Sequence, residues 1–317
     1  MIKTIASVSM PVFETLKIQK NRLESGKNNH GKRISIVTGI HGDELEGQYV
    51  CYEVIRRIQE HPEYLNGIVD IYPAMNPLGI DSITRGIPAF DLDMNRVFPG
   101  NEDGSMTEYV AAKIIDDLVG SDLCIDIHAS NIFLTEIPQV RINELHEQIL
   151  VPYAKKLNID LIWVHGSSTV LESTLAYSLN SRNTPTLVVE MGVGMRITKA
   201  YCHQLVEGIF SVMASMGIWT GPVSEVRKPI VANTGDAVSF LNAPTAGIFI
   251  STAKHGDMLH QGDEIGIIVD PLQGMILERM KAPVDGVLFT IREYPVVDEG
   301  SLIARILKND SKGEVQP

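Results

Sequence analysis

Residues 33–47 read RISIVTGIHGDELEG. The first part, 33–40, is a short apolar run closed by glycine, as expected of a buried β-strand. It passes through His-Gly-Asp into a segment, 44 to about 60, with Leu45, Tyr49, Val50, Val54, Ile55 and Ile58 at helical spacing. Strand, tight turn and helix in succession form the repeating unit of an α/β domain with a largely parallel sheet.

Working outward, the same alternation continues. Residues 67–74 and 122–127 read as further strands, 107–119 as a helix, 186–191 (TLVVEM) as a late buried strand and 197–216 as a closing helix. Between them, 76–105 is a long irregular stretch rich in Pro, Gly, Asp and Asn; a loop of that length inside a compact domain is usually functional. Near 221–228 the helical period stops, and short strands then alternate with GD, QGD, DG and DEG turns, the signature of an all-β unit. The expected organisation is an α/β domain over 1–224, a β domain over 225–307 and a flexible polar tail over 308–317.

Composition narrows the function classes. The chain has 317 residues, 44% hydrophobic and 21% charged, enough to bury a large core. Its formal net charge of −12 argues against nucleic-acid binding, which relies on dense Lys/Arg patches. No run approaches the roughly 20 apolar residues of a membrane span, and the N-terminus lacks the apolar core of an export signal. Cys51, Cys124 and Cys202 are odd in number and lie in apolar contexts, as reduced packing residues of a cytoplasmic protein do.

The candidate chemistry starts at His41-Gly-Asp-Glu44, which lies where the buried strand gives way to the helix, at the carboxyl edge of the sheet where ligands of open α/β folds bind. His128 ends another strand and reaches the same edge. Two histidines and a glutamate form a ligand set that leaves one zinc ion an open position. Asp126 is placed to orient a ligand histidine. Glu190 interrupts an apolar strand, where an ionised side chain is costly unless it serves a site, and it is the candidate proton shuttle. The long loop supplies Arg85, Asn95 and Arg96, suited to polarising a carbonyl and gripping a carboxylate.

In order along the chain stand GIHGDELEG (39–47), NPLG (76–79), TR (84–85), DMNR (93–96), DIH (126–128) and VVEMG (188–192). With these motifs the sequence resembles the succinylglutamate desuccinylase/aspartoacylase family of zinc carboxypeptidase-like enzymes. The resemblance implies an α/β/α catalytic domain and zinc on His41, Glu44 and His128. It further implies Glu190 as general base and then acid, Arg85 at the tetrahedral oxyanion, and Asn95 and Arg96 on a substrate carboxylate. The stretches 256–266, 282–288 and 297–303 are similar to the family's small barrel-sandwich-like β-domain. In two places the sequence departs from the aspartoacylase-like pattern. Arg85 and Asn95 stand a few residues further apart, and no arginine occupies the register shortly before Glu190, Arg182 being near and Arg141 a further candidate substrate contact.

The expected function is hydrolysis of an amide in a small, carboxylate-bearing N-acylated amino acid or related amine, by a protein capable of homo-oligomerisation. The alternatives are a metallocarboxypeptidase acting on peptides and an inactive relative that binds a small acid.

Overall fold

The computed structural model describes residues 1–25, 31–88, 91–166, 172–233 and 237–309; most of the expected tail therefore lies outside the described residues. The chain opens with an antiparallel hairpin, β1 (Ile2–Ser9) and β2 (Thr15–Glu24). The quoted stretch then forms β3 (Arg33–Thr38) and α1 (Glu46–Glu60), followed by β4 (Ile68–Tyr72), α2 (Pro77–Ser82), α3 (Met106–Leu118) and β5 (Leu123–Ala129). Next come β6 (Leu134–Asn143), α4 (Glu147–Ala154), β7 (Leu161–His165), α5 (Leu175–Asn180), β8 (Thr186–Gly192) and α6 (Lys199–Ser215).

The central strands β4, β3, β5 and β8 run parallel, and antiparallel neighbours flank them, β2 beside β4 and β6 beside β8. The sheet is therefore mixed. On one face, Val50, Val54 and Ile58 of α1 and Leu205, Ile209 and Phe210 of α6 pack on Ile34, Ile36, Ile125 and Val189. On the other, Val110, Ala111 and Ile114 of α3 and Leu175 and Leu179 of α5 pack on Val37, Tyr72 and Cys124. Helices on both faces explain why the central strands read as continuous apolar runs. Each fully buried Val, Leu or Ile contributes about 1.5–3 kcal/mol relative to exposure, so this core carries most of the stability of the layered region.

The C-terminal strands are β9 (Ile230–Asn233), β10 (Val238–Asn242), β11 (Gly247–Ser251), β12 (Met258–Leu259), β13 (Glu264–Asp270), β14 (Met275–Lys281), β15 (Gly286–Arg292), β16 (Val296–Val297) and β17 (Leu302–Lys308). Four of them form a separate antiparallel sheet in the order β14-β13-β11-β16. The others extend the large sheet: β15 pairs with β6, β17 with β15, and β10 with β17, while β9 joins β7. Phe249, Ile268 and Met280 of the separate sheet meet Leu288, Ile291 and Ile306 in one apolar cluster, giving a β-sandwich continuous with the α/β layers through β15.

Residues 76–88 and 91–105 hold more regular structure than their composition predicts. Asn76 caps α2, accepting from the amide of Gly79 at 2.9 Å and donating to the carbonyl of Gly86 at 3.1 Å, with Pro77 in the first turn. A single 3₁₀ turn covers Met94–Arg96. Among the described residues no helix is long and apolar enough to cross a membrane.

Candidate active site

The turn after β3 is built for close approach. A Cβ on Gly42 would overlap the backbone of Gly79, and the Gly42 amide donates to the carbonyl of Arg85 at 3.2 Å. Glycine at 42 thus lets the β3 turn dock against the loop that carries Arg85, and the same turn aims His41 and Glu44 across the sheet edge. On the neighbouring strand His128 stands at the end of β5, one residue before Ala129, and its cross-strand partner on β8 is Glu190.

His41, Glu44 and His128 are all buried, and their nearest ligand atoms lie within 4.8 Å of one another. Nδ1 of His41 is 2.8 Å from Oε1 of Glu44, Nδ1 of His128 is 2.9 Å from Oε2, and the two Nδ1 atoms are 3.3 Å apart. Burial opposes ionisation of Glu44, but the charges and hydrogen bonds of His128 and His41 outweigh it and hold the carboxyl at about 2. These groups can hold a metal ion. The far nitrogen of each ring faces an aspartate: Nε2 of His41 is 3.1 Å from Oδ1 of Asp93, and Nε2 of His128 is 3.2 Å from Oδ2 of Asp126. The second contact lacks the alignment of a hydrogen bond and is an electrostatic one.

The cluster opens into a cavity of about 620 Å³. Of the site residues expected from the sequence, Asp126 and Glu190 line it beside the three candidate ligands, and Arg85, Asn95, Arg96 and Arg141 line it around them. Arg85 donates from Nη1 to Oε1 of Glu44 at 2.9 Å, and its side chain is 42% exposed. Asn95 uses Oδ1 to accept from the amide of Leu175 at 2.9 Å, which ties the loop to the start of α5. Arg182 donates to the carbonyl of Ser178 and is not part of the cavity wall.

Glu190 sits in the wall, its side chain 15% exposed, with Oε1 3.2 Å from Nη1 of Arg141. Burial pushes its carboxyl up to about 6, against the pull of Arg141 and His128. A carboxyl at that value exchanges protons readily near neutrality, which suits general acid–base work.

Two acids that sequence reasoning passed over take part. Asp93 stands inside the quoted DMNR motif, so its signal was present: its Oδ1 accepts from the amide of Asn95 at 2.8 Å while holding His41. Glu136 on β6 is 1% exposed and pairs with both Arg141 and Arg305. Nothing in the local sequence marks either Glu136 or Arg305.

The chain resembles known proteins over most of its length. Residues 30–216 match the succinylglutamate desuccinylase/aspartoacylase catalytic domain. A relative from Halomonas elongata, an N-alpha-acetyl-L-2,4-diaminobutyric acid deacetylase, is 27% identical over 295 residues, spanning 88% of this chain and 83% of that one. A succinylglutamate desuccinylase/aspartoacylase from Rhodobacter sphaeroides superposes with a TM-score of 0.80 at 23% identity, covering 98% of this chain and 96% of the other. The product-bound ectoine utilization protein EutE (DoeB) from Ruegeria pomeroyi does so with a TM-score of 0.80 at 19% identity, covering 96% and 93%. Both superpositions establish the fold, including the C-terminal strands. With the catalytic-domain match spanning more than half of its length, the chain belongs to the succinylglutamate desuccinylase/aspartoacylase family, whose members are deacylases that hydrolyse amides.

Proposed function

We propose that the protein is a zinc-dependent deacylase that hydrolyses the amide of a small N-acylated amino acid or related amine. The observation that carries this reading is the opening of His41, Glu44, His128 and the raised carboxyl of Glu190 into one cavity edged by Arg85, Asn95 and Arg96. Two imidazole nitrogens and one carboxylate, with an aspartate behind each ring, are a donor set that fits zinc. Bound to His41, Glu44 and His128, zinc would supply a Lewis acid that polarises a carbonyl and acidifies water.

The chain's own groups do the rest. Glu190 takes a proton from the attacking water and delivers it to the nitrogen of the departing amine. Arg85, beside Glu44 and part-exposed, offers its positive charge to the oxyanion that develops at the carbonyl. Arg96 and the side-chain NH2 of Asn95 bind the substrate carboxylate at the outer wall, and Arg141 forms the wall behind Glu190. The 1–224 region supplies the ligands and base, and the 225–307 region closes the cavity through Arg305.

The name of the Halomonas elongata relative makes Nα-acetylated diaminobutyric acid the first substrate to try. The test is a panel of N-acyl amino acids and of peptides with free C-termini, assayed before and after chelation and again after zinc is restored. Cleavage of the former, lost on chelation and recovered with zinc, is expected. Cleavage of peptides alone would replace the reading with a carboxypeptidase, and no zinc uptake with no turnover would replace it with a binding protein.

A further inference from the structure

The inner wall of the cavity contains an ion-pair chain that crosses from the C-terminal strands to the candidate base. Arg305 on β17 donates from Nη1 to Oε1 of Glu136 at 2.6 Å; Nη2 of Arg141 reaches Oε2 of Glu136 at 2.8 Å and Oε1 at 3.1 Å; Nη1 of Arg141 then faces Glu190 at 3.2 Å. Thr290 on β15 donates to Oε1 of Glu136 at 3.3 Å.

The arrangement follows from register. Glu136 is paired directly with Thr290, and Thr290 with Arg305, so these residues stand in a row across β6, β15 and β17. Glu136 and Arg141 are separated by an odd number of positions, which in a regular strand puts side chains on opposite faces. A register shift in the β6–β8 pairing between Glu136 and Gln139 adds one residue to β6 and returns both side chains to the cavity face.

From this geometry we infer that Glu136 is a positioning residue for Glu190, acting through Arg141; the inference rests on the reading of Glu190 as the base. An arginine facing a single carboxylate settles into a two-pronged pair that occupies both oxygens. Here Glu136 takes Nη2, its contact shorter than that to Glu190, so Arg141 holds only Oε1 of Glu190. The second oxygen of Glu190 stays available for proton transfer, and the carboxylate is kept at a fixed angle. Arg305 and Thr290 hold Glu136 in turn, so the C-terminal strands set the geometry of a base carried by β8.

The experiment compares Glu136→Asp, Glu136→Gln and the double variant Glu136→Gln/Arg141→Met with Glu190→Gln and the parent, all zinc-loaded. Misplacing a catalytic group by about 1 Å can cost on the order of 100-fold, and Glu136→Gln is expected to lose about 10- to 100-fold in kcat with KM and zinc content unchanged. Glu136→Asp, which keeps the charge, should recover part of that loss. The double variant should exceed Glu136→Gln in kcat, because the redirected arginine is gone. If Glu136→Gln does not fold, Glu136→Asp carries the test through its kcat loss at constant KM. Parent-like kcat in the Glu136 variants, or loss of kcat only together with zinc, overturns the inference while an inactive Glu190→Gln leaves the base intact. A fully active Glu190→Gln overturns the reading of the base itself.

Discussion

The two walls of the cavity are built by opposite means. The ligand wall comes from short motifs at strand ends: His41 and Glu44 share one turn, and Asp126 and His128 share one strand. The inner wall joins Glu136 to Arg305 across 169 positions of sequence and is completed only when β15 and β17 dock beside β6. Local turns aim the candidate ligands, whereas distant strand pairing sets the surroundings of Glu190, the proposed base. Failure of the first wall should cost metal, and failure of the second should cost turnover with the metal kept.

The largest effect separates these outcomes at Glu190. Glu190→Gln should retain zinc and lose about 10²- to 10⁴-fold in kcat, the range for a general acid–base group; metal analysis alongside steady-state kinetics checks it. On the ligand wall, Asp93→Asn removes the carboxylate behind His41, and competition with a chelator should show zinc affinity weaker by about 10- to 100-fold. A variant with native affinity would reduce Asp93 to a loop support.

A pH profile sharpens the comparison further. Burial raises the Glu190 carboxyl to about 6, so below that pH it is protonated and unable to accept a proton. The rate constant kcat/KM should rise with pH up to about 6 and then level, and the limb should vanish in Glu190→Gln. Because the folded value lies above that of an exposed carboxyl, ionisation of this group also removes stability as pH rises from the unfolded value through about 6. The smallest effect lies outside both walls. Ser105 and Glu108 form a capping box at the start of α3, and Ser105→Ala should lower unfolding free energy by about 1 kcal/mol without altering kcat or zinc content, as denaturant titration would show.

Much of this was legible in the sequence because it is local. The periodicity of 44–60 specified a helix whose buried face is Val50, Val54 and Ile58, and the apolar run 33–40 specified a strand covered on both sides. The spacing of His41 and Glu44 required only the turn between them. From the loop 76–105 the sequence singled out Arg85, Asn95 and Arg96, which line the cavity, but α2 was not legible: it depends on the side chain of Asn76 reaching Gly79 and Gly86, contacts that composition does not encode. The N-terminal hairpin was likewise hidden. Its sheet edge is set by pairing with β4, nearly 50 positions away at Arg22↔Asp70.

By itself, then, the sequence determined the α/β layers and singled out His41, Glu44, His128 and Glu190 as candidates, with His41 and Glu44 a turn apart; pairing of β3 with β5 brings His128, more than 80 positions away, beside them. Tertiary structure alone decided that the C-terminal strands extend the large sheet, that a register shift in β6 brings Glu136 and Arg141 to one face, and that Arg305 reaches the cavity. The reason is physical. Side-chain alternation is written along a strand, but the choice of neighbouring strand and register depends on which distant surfaces bury together, and no local pattern records that.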